Sequence, residues 1–115
     1  EQQIPSELEM DDRDSECHHW LATDERGNAI GTVRLDLGAK GKIGRLAVLA
    51  RVRGRGVGRA LMASVHELAR ARGLVRVWCH AQISAAPFYE KLGYRITSEP
   101  FAEAGIEHVR MEFDL

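Results

Sequence analysis

Between Lys40 and His66 the sequence holds no acidic residue, while Lys40, Lys42, Arg45, Arg51, Arg53, Arg55 and Arg59 are all basic. Aromatic residues are missing from among those arginines, which sit between glycines, and the overall pI is only 6.6. A nucleic-acid surface would interleave the two kinds of side chain on a basic protein, so no nucleic-acid partner is expected. Cysteine is scarce: Cys17 and Cys79 are far apart and in no metal-ligand spacing. That argues against a disulfide scaffold and for a reduced, cytoplasmic setting. His18, His19 and His66 have no partners at metal spacing, and no metal site is expected. No apolar run approaches the roughly 20 residues of a membrane-spanning helix, so no membrane partner is expected, and no signal peptide opens the chain. Repeats and low-complexity tracts are absent too.

What remains is a chain of 115 residues with 44% hydrophobic content, enough for one domain spanning 1–115 and one modest core. Charge is unevenly spread within it. Residues 1–16 carry Glu1, Glu7, Glu9, Asp11, Asp12, Asp14 and Glu16 against the single Arg13. This acidic N-terminal segment shows neither helical nor strand periodicity, and Pro5 opposes a long helix, so it is read as irregular ahead of a core at 17–115.

The informative stretch runs from Lys42 to Arg72. Ile43, Leu46 and Val48 read as a strand, Arg51 to Gly58 as a glycine-punctuated basic loop, and Val57, Leu61, Val65 and Leu68 as one face of a helix. A loop that opens a helix points unpaired N–H groups and the positive end of the helix dipole at one place. Such a place suits a phosphate. A Walker A loop is excluded, because no Gly-Lys is followed by Ser or Thr, and so is G-x-G-x-x-G from Gly54, which would need glycine where Arg59 stands. The spacing that fits is Arg-x-x-Gly-x-Gly, on Arg53, Gly56 and Gly58. An ordinary basic loop before an amphipathic helix fits it as well.

In chain order, His18 to Thr23 and the alternating Ala29 to Leu37 read as strands around the turn Asp24 to Asn28. With Lys42 to Val48 they make an antiparallel meander. Gly73 is a C-cap and Leu74 to His80 an interior strand. Ser84 begins a second helix with Ala85, Phe88, Tyr89 and Leu92 on one face, Pro87 in its first turn and Gly93 at its end. Tyr94 to Ser98 and His108 to Asp114 are the last strands, joined by Glu99 to Gly105, read as loop. The fold class is α+β: a sheet with helices packed on it.

Arg53, Gly56 and Gly58 after Leu46-Ala47-Val48 resemble the pyrophosphate motif of the GCN5-related N-acetyltransferases (GNAT). Phe88-Tyr89-Glu90-Lys91-Leu92-Gly93-Tyr94 is similar to their F/L-Y-x-K-x-G-F/Y segment, in the right order and at the right distance. Ile4-Pro5, Glu9-Met10-Asp11, His18-His19, His80-Ala81-Gln82 and Phe101-x-Glu103-x-Gly105-Ile106-x-His108-x-x-Met111 resemble the ElaA-like branch. The resemblance implies a mixed, mostly antiparallel central sheet flanked by helices. It also implies a first strand and helix ahead of Glu1, so a domain shortened at its N-terminus is expected, with a partner subunit, as in a homodimer, covering the exposed sheet edge.

The resemblance further implies an enzyme that moves an acetyl group from acetyl-coenzyme A, its co-substrate, to a primary amine of a small molecule or peptide. Leu46, Ala47 and Val48 would bind the pantetheine arm by backbone hydrogen bonds, with the Val48 N–H on the thioester carbonyl. Arg53, Gly54, Arg55, Gly56, Val57, Gly58 and Arg59 would hold the pyrophosphate, and Gln82, Phe88 and Lys91 complete the cofactor contacts. Tyr89 stands where relatives donate a proton to the leaving thiolate, and a phenol of pKa about 10 is protonated at neutral pH. Several relatives place an acid in the central strand, but none occurs here, which leaves His80 as the best base, with His108 and Glu112 behind it. The acidic segment Glu7 to Glu16 is expected to draw a cationic acceptor. Two other readings stay open: a domain that binds acyl-coenzyme A without transfer, and a basic-patch interaction module.

Overall fold

The computed structural model describes residues 7–11 and 16–115. Its strands are β1 (Glu7–Asp11), β2 (Cys17–Thr23), β3 (Ala29–Asp36), β4 (Lys42–Val48), β5 (Arg76–Gln82), β6 (Arg95–Ile96), β7 (Phe101–Glu103) and β8 (Ile106–Asp114). The helices are α1 (Val57–Ala71), between β4 and β5, and the short α2 (Ala86–Lys91), between β5 and β6. The strands form one sheet in the order β1-β2-β3-β4-β5-β8-β6, with β7 hairpinned onto β8. Every pairing is antiparallel except β4 with β5. The expected mixed, mostly antiparallel α+β architecture is what forms.

Three expectations need correction. Residues 7–11 are a strand rather than irregular chain, because the E-L-E-M-D alternation lets Glu7–Asp11 pair with residues 19–23 of β2. The remaining acidic residues up to Asp14 lie outside the described residues. The stretch Glu99 to Gly105 is also not all loop: Phe101–Glu103 pairs with β8 through a turn at Ala104 (φ 53°) and Gly105 (φ 76°). Two consecutive positive φ values are the type I′ geometry that suits strand twist. The second helix starts at Ala86, because Ile83–Ala85 forms a tight 3-10 turn first.

Both helices end in the same device. After α1, Gly73 (φ 83°) donates to the Arg70 carbonyl and Leu74 to that of Ala69; after α2, Gly93 (φ 103°) donates to Glu90 and Tyr94 to Tyr89. This is the glycine-terminated Schellman pattern. The buried residues of α1, including Val57, Leu61, Met62, Val65 and Ala69, form its core-facing stripe. Gly31 in β3 admits that stripe, since a Cβ there would sit 3.0 Å from both Leu61 and Val57.

Strand alternation gives the sheet two unlike faces. In β5, Val77, Cys79 and Ala81 are buried, while Arg76, Trp78, His80 and Gln82 are exposed or half-buried. The buried set faces the helices: His66 of α1 stacks on Phe113 of β8 at 4.6 Å and shares a 2.6 Å hydrogen bond with the Tyr94 hydroxyl. On the other face, Trp78 lies under the Arg110 guanidinium at 4.0 Å and the Lys42 ammonium at 5.3 Å. No described helix covers these polar side chains.

Candidate active site

β4 and β5 are joined by only two residue pairs, Lys42–Trp78 and Ile43–Cys79. They part where β4 is bulged. Thr32 pairs with Ala47 and Arg34 with Gly44, so Val33 alone faces both Arg45 and Leu46, and Arg45 takes a φ of 57°. The ladder resumes with Leu49 donating to the Ile30 carbonyl. Because antiparallel ladders alternate, the Val48 N–H then points away from β3 into the gap. The Val48 carbonyl does likewise and accepts from Arg53 Nε at 3.2 Å.

On the helix side of this gap lies a cleft of about 840 Å³. One wall is Leu46, Ala47 and Val48 of β4; its end is Val52, Arg53, Gly54, Gly56, Val57, Gly58 and Arg59; the other wall is Ser84, Ala85, Phe88, Tyr89 and Lys91. Val52 and Arg53 donate to the Leu49 and Ala50 carbonyls, closing a 3-10 turn, and the helix bonding of α1 begins with Ala60 to Gly56. The N–H groups of Val57, Gly58 and Arg59 therefore lie in the first turn of α1, where no intrahelical carbonyl precedes them. Gly56, the N-cap, has a φ of 86° that brings these groups together at the helix N-terminus. At Gly58 a Cβ would approach the Phe88 ring to 3.2 Å, so glycine allows α1 to close against α2. This end of the cleft offers an anion first-turn amides, a helix dipole, and the charges of Arg53 and Arg59.

Tyr89 is buried beside Tyr94 and Phe88, at ring distances of 5.5 and 5.2 Å. Burial, and then proximity to Cys79, raises its pKa well above the usual phenol range, so it stays protonated at physiological pH. Burial pushes the Cys79 thiol up to about 12 and makes it inert.

Of the residues expected to hold the cofactor, Arg55 and Gln82 do not line the cleft. Arg55 is exposed at the loop tip, and Gln82 shares the β5 parity of Trp78 and His80, which puts it on the opposite face. Val52, Ser84 and Ala85 were not anticipated; the last two come from the turn that precedes α2.

His80 lies on that opposite face. Its Nδ1 is 2.8 Å from the Glu103 carboxylate, and Phe101 meets its ring edge-on at 4.9 Å. The bond to His80 holds the Glu103 pKa below the usual carboxylate value. Of the other base candidates, His108 bonds the Ile106 carbonyl through Nδ1 at 2.8 Å, and Glu112 bonds Arg110 at 3.0 Å with Arg95 and Arg76 nearby. Arg34, Lys42, Ile43, Gly44 and Arg45 join His80 and Glu103 around a smaller cavity of about 260 Å³.

A sheet that parts beside a glycine turn at a helix N-terminus, with a buried tyrosine lining the same cleft, has the form of a site for an anionic, phosphate-bearing ligand. The chain belongs to the GNAT family: the sequence model described as "Acetyltransferase (GNAT) domain" matches residues 2–115. It is similar to the uncharacterized N-acetyltransferase YjcF of Bacillus subtilis, 38% identical over 116 residues that cover 99% of this chain and 82% of YjcF. Among solved structures, it resembles a Lactobacillus plantarum protein assigned as an N-acetyltransferase, with a TM-score of 0.80, 32% identity, and coverage of 91% of this chain and 74% of that one. Escherichia coli ElaA matches with a TM-score of 0.74 and 25% identity, over 88% of this chain and 74% of ElaA. The protein is therefore an acyl-coenzyme A-dependent acetyltransferase acting on an amine.

Proposed function

We propose that the donor is acetyl-coenzyme A and that the acetyl group passes directly to a primary amine of a small molecule or peptide. The observation that carries this reading is the glycine turn and the first-turn amides of α1, Val57 to Arg59, opening into the same cleft as Tyr89. The loop, with Arg53 and Arg59, holds the diphosphate, and Val48 N–H receives the thioester oxygen as it gains charge. The amine attacks as a neutral nucleophile. The C–N bond forms, the C–S bond breaks, and Tyr89 gives its proton to the departing sulfur. The proton lost by nitrogen goes to His80 Nε2, which Glu103 leaves open by holding Nδ1. Solvent then reprotonates Tyr89 and takes the proton from His80.

We place this activity in a reducing, cytoplasmic setting, in keeping with a chain that has only two cysteines, far apart in sequence. A second copy would pair along β1, an edge strand with Leu8, Met10 and neighbouring Leu21 exposed.

The test is calorimetric titration of coenzyme A into the wild type and Gly56→Val, with thiol release from acetyl-coenzyme A followed across an amine panel. A β-branched residue cannot keep the Gly56 conformation, and losing two charge-assisted amide bonds should weaken binding by about a hundredfold or more. Equal affinity in the two proteins, or amine-independent thiol release, would refute the assignment.

A further inference from the structure

The cavity around His80 has a charge that the transfer reaction does not require. Among the described residues, Arg34, Lys42 and Arg45 line it against a single carboxylate, Glu103, which is already bonded to His80. Among the described residues neither Arg34 nor Arg45 has an ion-pair partner, and Lys42 rests on the Trp78 ring without a carboxylate of its own. Uncompensated cations gathered around a concavity attract anions.

The position of this cavity matters as much as its charge. Gly44 and Arg45 follow directly on Ile43, the last β4 residue paired with β5, and His80 follows directly on that pair's other member, Cys79. Two residues further along β4, Leu46 already lines the cofactor cleft. The cavity and the cleft thus open on opposite faces of the sheet at the same fork. Arg45 is held there at a φ of 57°, a conformation that its neighbour Gly44 could adopt without strain. Strained backbone persists where the surrounding structure enforces it and the side chain has work to do.

We infer that this cavity is the acceptor site and that its acceptor is a small amine that also carries an anionic group, a carboxylate or a phosphate. The guanidinium forks of Arg34 and Arg45 take the anion, Lys42 adds charge, and the amine is left toward His80 and the fork. At about 260 Å³ the space is below the roughly 300–1,000 Å³ of sites for drug-sized ligands, so the acceptor is compact. This reverses the expectation of a cationic acceptor drawn by the N-terminal acids. It rests on the acetyl-transfer reading above and adds the substrate class.

The test uses the full chain with saturating acetyl-coenzyme A and three arms of matched chain length: amino carboxylates, amino phosphonates, and neutral monoamines with diamines. Turnover is read by thiol release, and binding by calorimetry in the presence of coenzyme A. At least one anionic arm should exceed the third arm by about tenfold or more in kcat/KM, and the better anionic arm identifies the anion. Arg34→Gln with Arg45→Gln should raise the acceptor KM about tenfold to a hundredfold and leave the Kd for coenzyme A unchanged. Neutral or cationic amines doing as well, variants that weaken all arms equally, or no binding by any anionic amine would each overturn the acceptor assignment. Loss of coenzyme A binding in the wild type would instead overturn the transfer reading on which it rests.

Discussion

The two sides of the β4–β5 fork are built from different material. On the helix side the features proposed to meet the cofactor are mostly main chain: the first-turn amides Val57 to Arg59, the Val48 N–H, and glycines whose value lies in lacking a side chain. On the opposite side they are side chains from four strands: Arg34 of β3, Lys42 and Arg45 of β4, His80 of β5 and Glu103 of β7. A main-chain site tolerates most substitutions that preserve its conformation and fails when φ is denied. A side-chain site fails one residue at a time, and its specificity can drift without disturbing the fold. This suits a common donor held on one side and an individual acceptor on the other.

The contrast can be broken most sharply at Tyr89, the side chain proposed to protonate the leaving thiolate. Tyr89→Phe keeps the packed ring and should lower kcat by about 10²-fold or more with little change in the acetyl-coenzyme A KM. An unchanged kcat would mean that the thiolate leaves without its help.

Acid should separate the two sides next. His66, buried against Phe113 and near the charge of Arg70, has its pKa lowered to about 4 from 6.5. A falling pH protonates the unfolded chain first, so stability is lost from about pH 6.5 down to about 4 and then levels off. The total is about 3 kcal/mol. Urea unfolding at pH 7, 5.5 and 4 should show this slope in the wild type and not in His66→Gln. The carboxylates of the open face, Glu103 and Asp114, have depressed pKa values, so their contribution fades only at lower pH.

Smaller effects come from the hairpin that carries Glu103. Glu103→Gln keeps the length and removes the charge facing His80 Nδ1, and should cut kcat about tenfold while leaving both KM values near wild type. A rise in KM alone would make Glu103 a binding residue instead. Ala104→Asn places a residue tolerant of positive φ at 53° and should stabilise the chain by roughly 0.5 kcal/mol in urea unfolding, with no change in kcat.

The same contrast explains what the sequence disclosed. Gly56, Gly58 and Arg53 lie within six residues of one another, and Phe88 to Tyr94 is contiguous, so the helix-side site was legible as local motifs. The opposite site was not. Arg34 and Glu103 meet only because β3, β4, β5 and β8 pair in the register they do, and nothing near either residue announces that. Gln82 was misplaced for a related reason: strand parity decides which face a residue joins, and motif position does not. β1 was missed although E-L-E-M-D alternates, because its acids outweighed Leu8 and Met10 and its pairing depends on β2. The β7 hairpin was missed because Ala104 replaces the Asn or Asp that usually marks such a turn.

Only the rungs Lys42–Trp78 and Ile43–Cys79 stitch the parallel seam, and past them the strands can spread without rupturing any further inter-strand bond. On the proposed reading the acyl group enters beside this seam, so the length of donor accepted should follow the bulk of Leu46, Ala85 and Phe88, and exchanging those three is the way to admit heavier thioesters.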